Sequence, residues 1–309
     1  MKSVSAGGLT LGISAHCLWG MFPLFWNLLE HVRSEQLACH RIVWVFATAL
    51  LIVGVQTCFM SAEKRAAVWR LLRTGDTWKW HAFAAVMVAS NWFAFLFAVN
   101  NGNILESSLG YYINPLVNVG LGVLFLGERL YRGQWFAIGL AVIGVGAMTI
   151  YSGGVPFIAL IMAFSFGFYG LAKKKTKLDA VTGLLVEMIV LLPATLVYLM
   201  YLHANGMGEL GRHGWNTDAL IVIGGLVTLT PLAMFAAAAH RLPLSVMGIL
   251  QYIGPTLQFL IAVVLRGEAF GIPQIVGFSF VWAAVLLFMS DVFLRRRRAS
   301  ADLATTSEA

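Results

Sequence analysis

An apolar stretch that occurs twice constrains this chain more than any other feature. Residues 110–128 read Gly-Tyr-Tyr-Ile-Asn-Pro-Leu-Val-Asn-Val-Gly-Leu-Gly-Val-Leu-Phe-Leu-Gly-Glu, and residues 250–268 return the same pattern without a gap. Tyr112, Ile113 and Pro115 recur as Tyr252, Ile253 and Pro255, and Gly127-Glu128 recurs as Gly267-Glu268. Polar Tyr111 and Asn118 become polar Gln251 and Gln258. Internal duplication decides architecture before any local element is assigned.

The repeated unit is apolar, and composition says what that means. The chain is 59% hydrophobic and 11% charged, with a mean hydropathy of +0.80, whereas a soluble domain carries about 25% charged residues. Such a chain is a polytopic membrane protein. A crossing needs roughly 20 apolar residues, and about ten such runs are present. They fall near 7–29, 36–56, 80–100, 107–126, 134–151, 155–172, 181–201, 219–239, 244–265 and 272–294. Lipid satisfies no backbone hydrogen bonds and the runs lack the two-residue alternation of barrel strands, so each is read as a helix. The first run follows Lys2 but carries Trp19 and Pro23 and no small-residue cleavage site, and it is kept as a span.

The first copy of the repeated stretch falls in the fourth run and the second in the ninth. Five crossings per unit is an odd number, so the two units must lie inverted about an axis in the membrane plane. The expected fold is all-α integral membrane: ten transmembrane helices in two inverted five-helix repeats. The units are 7–151 and 155–294, followed by a tail, 295–309, that is basic and then disordered and cytoplasmic.

Basic residues orient the chain. One side receives Lys2, Lys64, Arg65, Arg70, Arg73, Lys79, Arg129, Arg132, Lys173, Lys174, Lys175, Lys177, Arg241 and Arg295–Arg298, and the other only Arg33, Arg212 and Arg266. The positive-inside rule then puts both termini in the cytoplasm. The net charge of +7 is a topology signal and not a nucleic-acid footprint, because no aromatic-basic recognition pattern accompanies it. Ala62–Leu72, in the longest loop, reads as an amphipathic helix at the cytoplasmic interface. Cys17, Cys39 and Cys58 have no paired spacing, so neither a disulfide nor a metal is expected. No phosphate-binding Gly-rich loop is present, which excludes a primary pump, and no cofactor is implied.

Polar groups inside the apolar runs are the candidate site. Arg41 and Glu187 occupy equivalent repeat positions, and charges at that depth face a cavity or one another. They are read either as an ion pair tying the halves together or as substrate contacts. His40 points about 100° away from Arg41 and is read as an interhelical hydrogen-bond donor. Tyr111, Asn114 and Asn118 share a helix face beside Pro115, and Gln251 and Gln258 take the equivalent face beside Pro255. These faces are either helix–helix glue or the two sides of a midplane cavity. The two prolines bend their helices and are candidate hinges. Trp19, Trp92, Tyr112, Tyr169 and Tyr252 would supply aromatic walls, and Asn91 is counted with its neighbour Trp92. Gly8 with Gly12, and Gly139 with Gly144, would permit close helix contacts. Glu128 and Glu268 would cap or turn the chain at helix ends, and Glu106 suits a helix N-terminus.

The run 105–128, Asn91-Trp92, Ala98-Val99-Asn100-Asn101, His40-Arg41 and Gln251-Tyr-Ile-Gly-Pro-Thr together resemble the RarD family of EamA-type transporters, within the drug/metabolite transporter superfamily. The resemblance covers nearly the whole chain. It implies ten helices in inverted halves in the bacterial inner membrane, carrying small organic solutes or drugs, and the family name is associated with chloramphenicol. The expected activity is a secondary transporter whose partners are a small-molecule substrate and the lipid bilayer, with no nucleic acid or obligate protein partner. The alternatives are a sensor or assembly factor on the same scaffold. An integral-membrane enzyme is a weaker one, because no paired carboxylates, Ser-His-Asp set or His cluster is present.

Overall fold

The computed structural model describes residues 5–101, 104–151, 157–265 and 271–307; the side chains of 99–100, 104–108, 151, 262, 265, 272–274 and 296–307 are outside that description. Lys2, Arg266, Gly267, Glu268 and the side chains of Glu106 and Arg296–Arg298 therefore lie outside the described residues.

The spans are α1 (Ala6–Trp26), α2 (Ser34–Phe59), α4 (Gly75–Asn100), α5 (Ile104–Leu126), α6 (Arg132–Tyr151), α7 (Phe157–Lys175), α8 (Ala180–Ala204) and α9 (Trp215–Ala239). A ninth span is divided into α10 (Leu244–Leu250) and α11 (Ile253–Leu260), and α12 (Ile272–Ser307) is the last. The amphipathic α3 (Ala62–Leu72) lies between α2 and α4 where the sequence placed it. Among the described residues there is no strand, and nine helices are long and apolar enough to cross a bilayer, with Leu244–Leu260 as a shorter apolar helix.

Local chemistry sets the ends. Ser5 and Asp179 start α1 and α8 by accepting backbone N–H groups that no helical carbonyl could satisfy. Gly127, at φ 63, ends α5 in the left-handed region that costs glycine little. The ninth span was expected to bend and instead breaks into a turn at Gln251–Tyr252. Pro255 has no N–H to offer the Gln251 carbonyl and its ring crowds that carbonyl, which weakens regular α-helix at the turn before it. Helix α5 passes Pro115 without a break.

The packing repeats with the sequence. The second span packs on the seventh, the fourth on the ninth and the fifth on the tenth, which are contacts a twofold axis maps onto themselves. The third and sixth spans pack together as the eighth and first do, and the fourth and sixth as the ninth and first do. Two inverted five-helix repeats close face to face in this way.

Three expectations are corrected. The tail was read as disordered, but α12 continues to Ser307, and the Ala-rich run after Arg298 has the propensity to extend it. A side chain at Gly139 would meet nothing, so that glycine mediates no contact. Gly8, Gly12 and Gly144 do, since a Cβ at each would overlap Leu242, Leu250 and the Gly277 carbonyl. His40 is buried on α2 yet makes no hydrogen bond among the described residues, so it is not the interhelical donor expected.

Candidate functional site

A cavity of about 440 Å³ lies between the two repeats, within the ~300–1,000 Å³ range of small-molecule sites. Helices α1, α2, α4 and α5 wall it from one repeat, and α7, α9 and the broken ninth span from the other. It reaches the Trp26–Ser34 end of the bundle, and no residue of the Leu126–Arg132 or Ala239–Leu244 turns lines it.

Arg41 dominates this cavity. Its guanidinium lies 5.0 Å from the Trp26 ring centroid and 4.6 Å from that of Trp92, an arrangement in which both ring faces attract the cation. Nε donates to Thr228 Oγ1 at 3.2 Å. The terminal amino groups make no hydrogen bond or ion pair among the described residues. Trp19 joins the wall and packs edge-on against Phe166, with ring centroids 5.8 Å apart.

The polar faces meet across the axis. Tyr111, Asn114, Gln251 and Gln258 line the cavity, and so do Asn91 and Trp92. The Asn91 amide donates to Met162 O at 2.8 Å and Gln258 Nε2 to Trp19 O at 3.2 Å, which holds both side chains in place. Pro255 also lines the cavity, while Pro115 stands behind Asn114.

Five expected site residues lie elsewhere or do other work. Asn118 is wholly buried below the floor, where Nδ2 donates to Asn114 Oδ1 at 3.0 Å and to Gln251 Oε1 at 2.9 Å. It joins the two repeats and does not face the cavity. Tyr252 is buried too, with Oη donating to Tyr112 O at 3.2 Å, so both tyrosines belong to the α5–ninth-span contact. Tyr169 is stacked on Phe235 away from the lining.

The fifth is Glu187, and the expected Arg41–Glu187 pair does not form. Counting from Ser34 and Ala180, each is the eighth residue of its helix. An in-plane twofold preserves that count but exchanges the membrane faces, so equivalent positions lie at opposite depths. Glu187, 0% exposed, instead accepts from Lys173 Nζ and, at 2.9 Å, from His81 Nδ1. Gly183, one turn earlier on α8, has no side chain to obstruct the His81 ring. The triad ties α4, α7 and α8 together near the Glu128 end of the bundle. Lys173 had been assigned to a loop on charge alone, and its neighbour Tyr169, with the ring 5.2 Å from Nζ, was the available signal that it turns inward.

Glu128 does more than cap its own helix. Its Oε1 accepts from Leu244 N at 2.5 Å, and Oε2 from Ser245 N at 2.9 Å and Ser245 Oγ at 2.6 Å. A carboxylate from the first repeat thus satisfies the start of α10 in the second, where Pro243 provides no side-chain cap.

The comparisons agree with this architecture. The sequence profile of the EamA-like transporter family matches residues 6–150 and 154–290, one match per repeat. "Protein RarD" of Escherichia coli (strain K12) is 40% identical over 293 residues, covering 95% of this chain and 97% of that one. The chain belongs to the RarD family of EamA-type transporters. An "Uncharacterized transporter" of Vibrio cholerae serotype O1 is 41% identical over 288 residues, 92% of each chain. The "Chloramphenicol-sensitive protein RarD" of Pseudomonas aeruginosa is 32% identical over 286 residues, 92% of this chain and 94% of that one. A solved crystal structure superposes with a TM-score of 0.69 at 15% identity, over 93% of this chain and 98% of that one, which speaks to the fold alone. The RarD family is one of membrane transporters, and this chain is a multi-pass membrane protein of that kind.

Proposed function

We propose that this RarD-family chain is a secondary carrier of a small organic solute in the bacterial inner membrane, working by alternating access with both termini cytoplasmic. One observation carries the reading: the cavity is shared by both repeats yet reaches one face only, while at the other face Glu128 fastens one repeat to the other. A carrier needs this asymmetry, and two inverted repeats supply its mirror state by exchanging conformations. Arg41, Asn91, Trp92, Tyr111, Asn114, Gln251 and Gln258 are the solute contacts on this reading, and Pro115 and Pro255 the hinges.

The test is solute counterflow into proteoliposomes of purified protein, screened over amino acids, organic acids, amines and amphenicols. Saturable counterflow is the expected result, and its absence for every class would remove the carrier reading. Pro115→Ala and Pro255→Ala are expected to slow counterflow severalfold while yield of folded protein holds, because alanine restores a backbone donor and a helix-favouring residue. Unchanged rates in both variants would remove the prolines from the mechanism.

Orientation is tested separately. A cysteine at Gly206, in the turn after α8, should react with an impermeant maleimide on intact cells, and one at Glu63 in α3 only after permeabilisation. The opposite pattern would invert the topology.

A further inference from the structure

We propose that the cavity selects organic anions, with Arg41 as the residue that binds the anionic group and the tryptophans beside it holding an aromatic or planar apolar body. The inference rests on the carrier reading only for the use made of the site, since the binding chemistry stands on the cavity itself.

The argument is one of charge and unmet donors. Among the described lining residues there is no Asp, Glu or Lys; Arg41 is the one side chain that carries a fixed charge at neutral pH. A guanidinium in a protein does not deprotonate, so it cannot shed its charge to suit a neutral or cationic guest. A charge inside a membrane span is costly unless it is partnered. Among the described residues its one hydrogen-bond partner is a neutral hydroxyl, Thr228 Oγ1, through Nε. The two terminal amino groups remain, and they form the flat fork that matches a carboxylate, sulfonate or phosphate in two parallel hydrogen bonds.

The surroundings hold that fork ready. The Trp26 and Trp92 rings hold the guanidinium between α1 and α4, and neither ring offers an acceptor atom that would occupy its terminal N–H groups. Aromatic and amide groups, among them Trp19, Phe166, Asn114 and Gln251, share the rest of the wall with small and aliphatic residues. Two buried nitrogens beside the cavity, His16 Nε2 and Gln251 Nε2, also lack a hydrogen-bond partner among the described residues. His16 Nδ1 lies 2.6 Å from Gly12 O, which only an N–H there can satisfy, so Nε2 is left as an acceptor. A cationic guest would find aromatic faces but would sit beside an uncompensated arginine. A neutral guest would leave the fork unfilled.

The experiment uses full-length protein in detergent or nanodiscs and three probes of nearly one shape: phenylacetate, phenylacetamide and phenethylamine. Binding is read by titration calorimetry and by thermal shift. Phenylacetate is expected to bind about 10- to 100-fold more tightly than phenylacetamide, the worth of a charge-assisted contact, and phenethylamine not to bind. Arg41→Gln should erase the difference between acid and amide, and Arg41→Lys should restore part of it. The wild-type ranking keeps the proposal testable even where a variant fails to fold. Phenethylamine binding as tightly as phenylacetate would overturn it. So would undiminished phenylacetate affinity in Arg41→Gln, or no binding of any probe at millimolar concentration. Phenylacetate binding without counterflow would instead count against the carrier reading and leave the anion site standing. Counterflow of amines alone would do the reverse.

Discussion

Glu187→Leu is expected to cost about 3–5 kcal/mol of stability, enough to remove most folded protein, because it strands Lys173 as a buried unpaired charge. Both side chains are essentially inaccessible, at 1% for Lys173 and 0% for Glu187, so solvent screening cannot soften the loss. Lys173 lies in the last turn of α7 and Glu187 about two turns into α8, and their attraction offsets a desolvation cost that neither could bear alone. Removing both is therefore predicted to be milder than removing one. Lys173→Met combined with Glu187→Leu should recover most of the folded yield, and the remaining deficit is the His81 ring nitrogen left without its acceptor, about 1–3 kcal/mol. Monodispersity after gel filtration and thermal unfolding in detergent measure both effects. A Glu187→Leu protein as stable as wild type, or a double variant no better than the single, would show that the triad does not act as a unit.

Glu128→Ala is expected to open the opposite end of the bundle. Three hydrogen bonds to a carboxylate join α5 to the start of α10, each worth about 1.5–3 kcal/mol when charge-assisted. Water recovers part of that once the end opens, so a shift of about 2 kcal/mol, roughly thirtyfold in the conformational equilibrium, is the reasonable size. The readout is the modification rate of a cysteine at Met247, which is buried on α10 between the seal and the cavity. The background needs Cys17, Cys39 and Cys58 replaced, and the impermeant thiol reagent is applied to inside-out vesicles. An unchanged rate would mean that Glu128 anchors α10 without holding the end shut.

Much of the fold was legible because lipid leaves a chain few options. Among the described residues the apolar runs are helical near their expected places, the ninth in two pieces, since backbone groups in hydrocarbon must bond within the segment. The duplicated stretch fixed the inversion by counting alone. The cavity wall was legible where polar residues recur at helical spacing, as at Tyr111 and Asn114, because that spacing marks one face. Partner choice was not. Asn118 lies on the same face yet is one turn deeper, where the ninth span closes over it, and nothing in the spacing says where a cavity ends. Repeat equivalence pointed Arg41 toward Glu187, although the same symmetry keeps them apart in depth. Lys173 was hidden by its place in a basic run, Lys173–Lys175, whose other members gave the topology signal. The Glu128 contact depends on α10 beginning without a cap of its own, a fact of tertiary placement.

Arg41 has one more consequence, and it concerns voltage. A fixed positive charge in a cavity whose water connection passes from one compartment to the other crosses much of the membrane field without moving far itself. Each elementary charge crossing that field exchanges about 2.3 kcal/mol per 100 mV. An empty cavity would carry Arg41 uncompensated, whereas one holding a monovalent anion would be close to neutral at that point. An inside-negative potential would then favour the inward turn of the empty form and barely touch the loaded one, making the unloaded half of the cycle the electrical step.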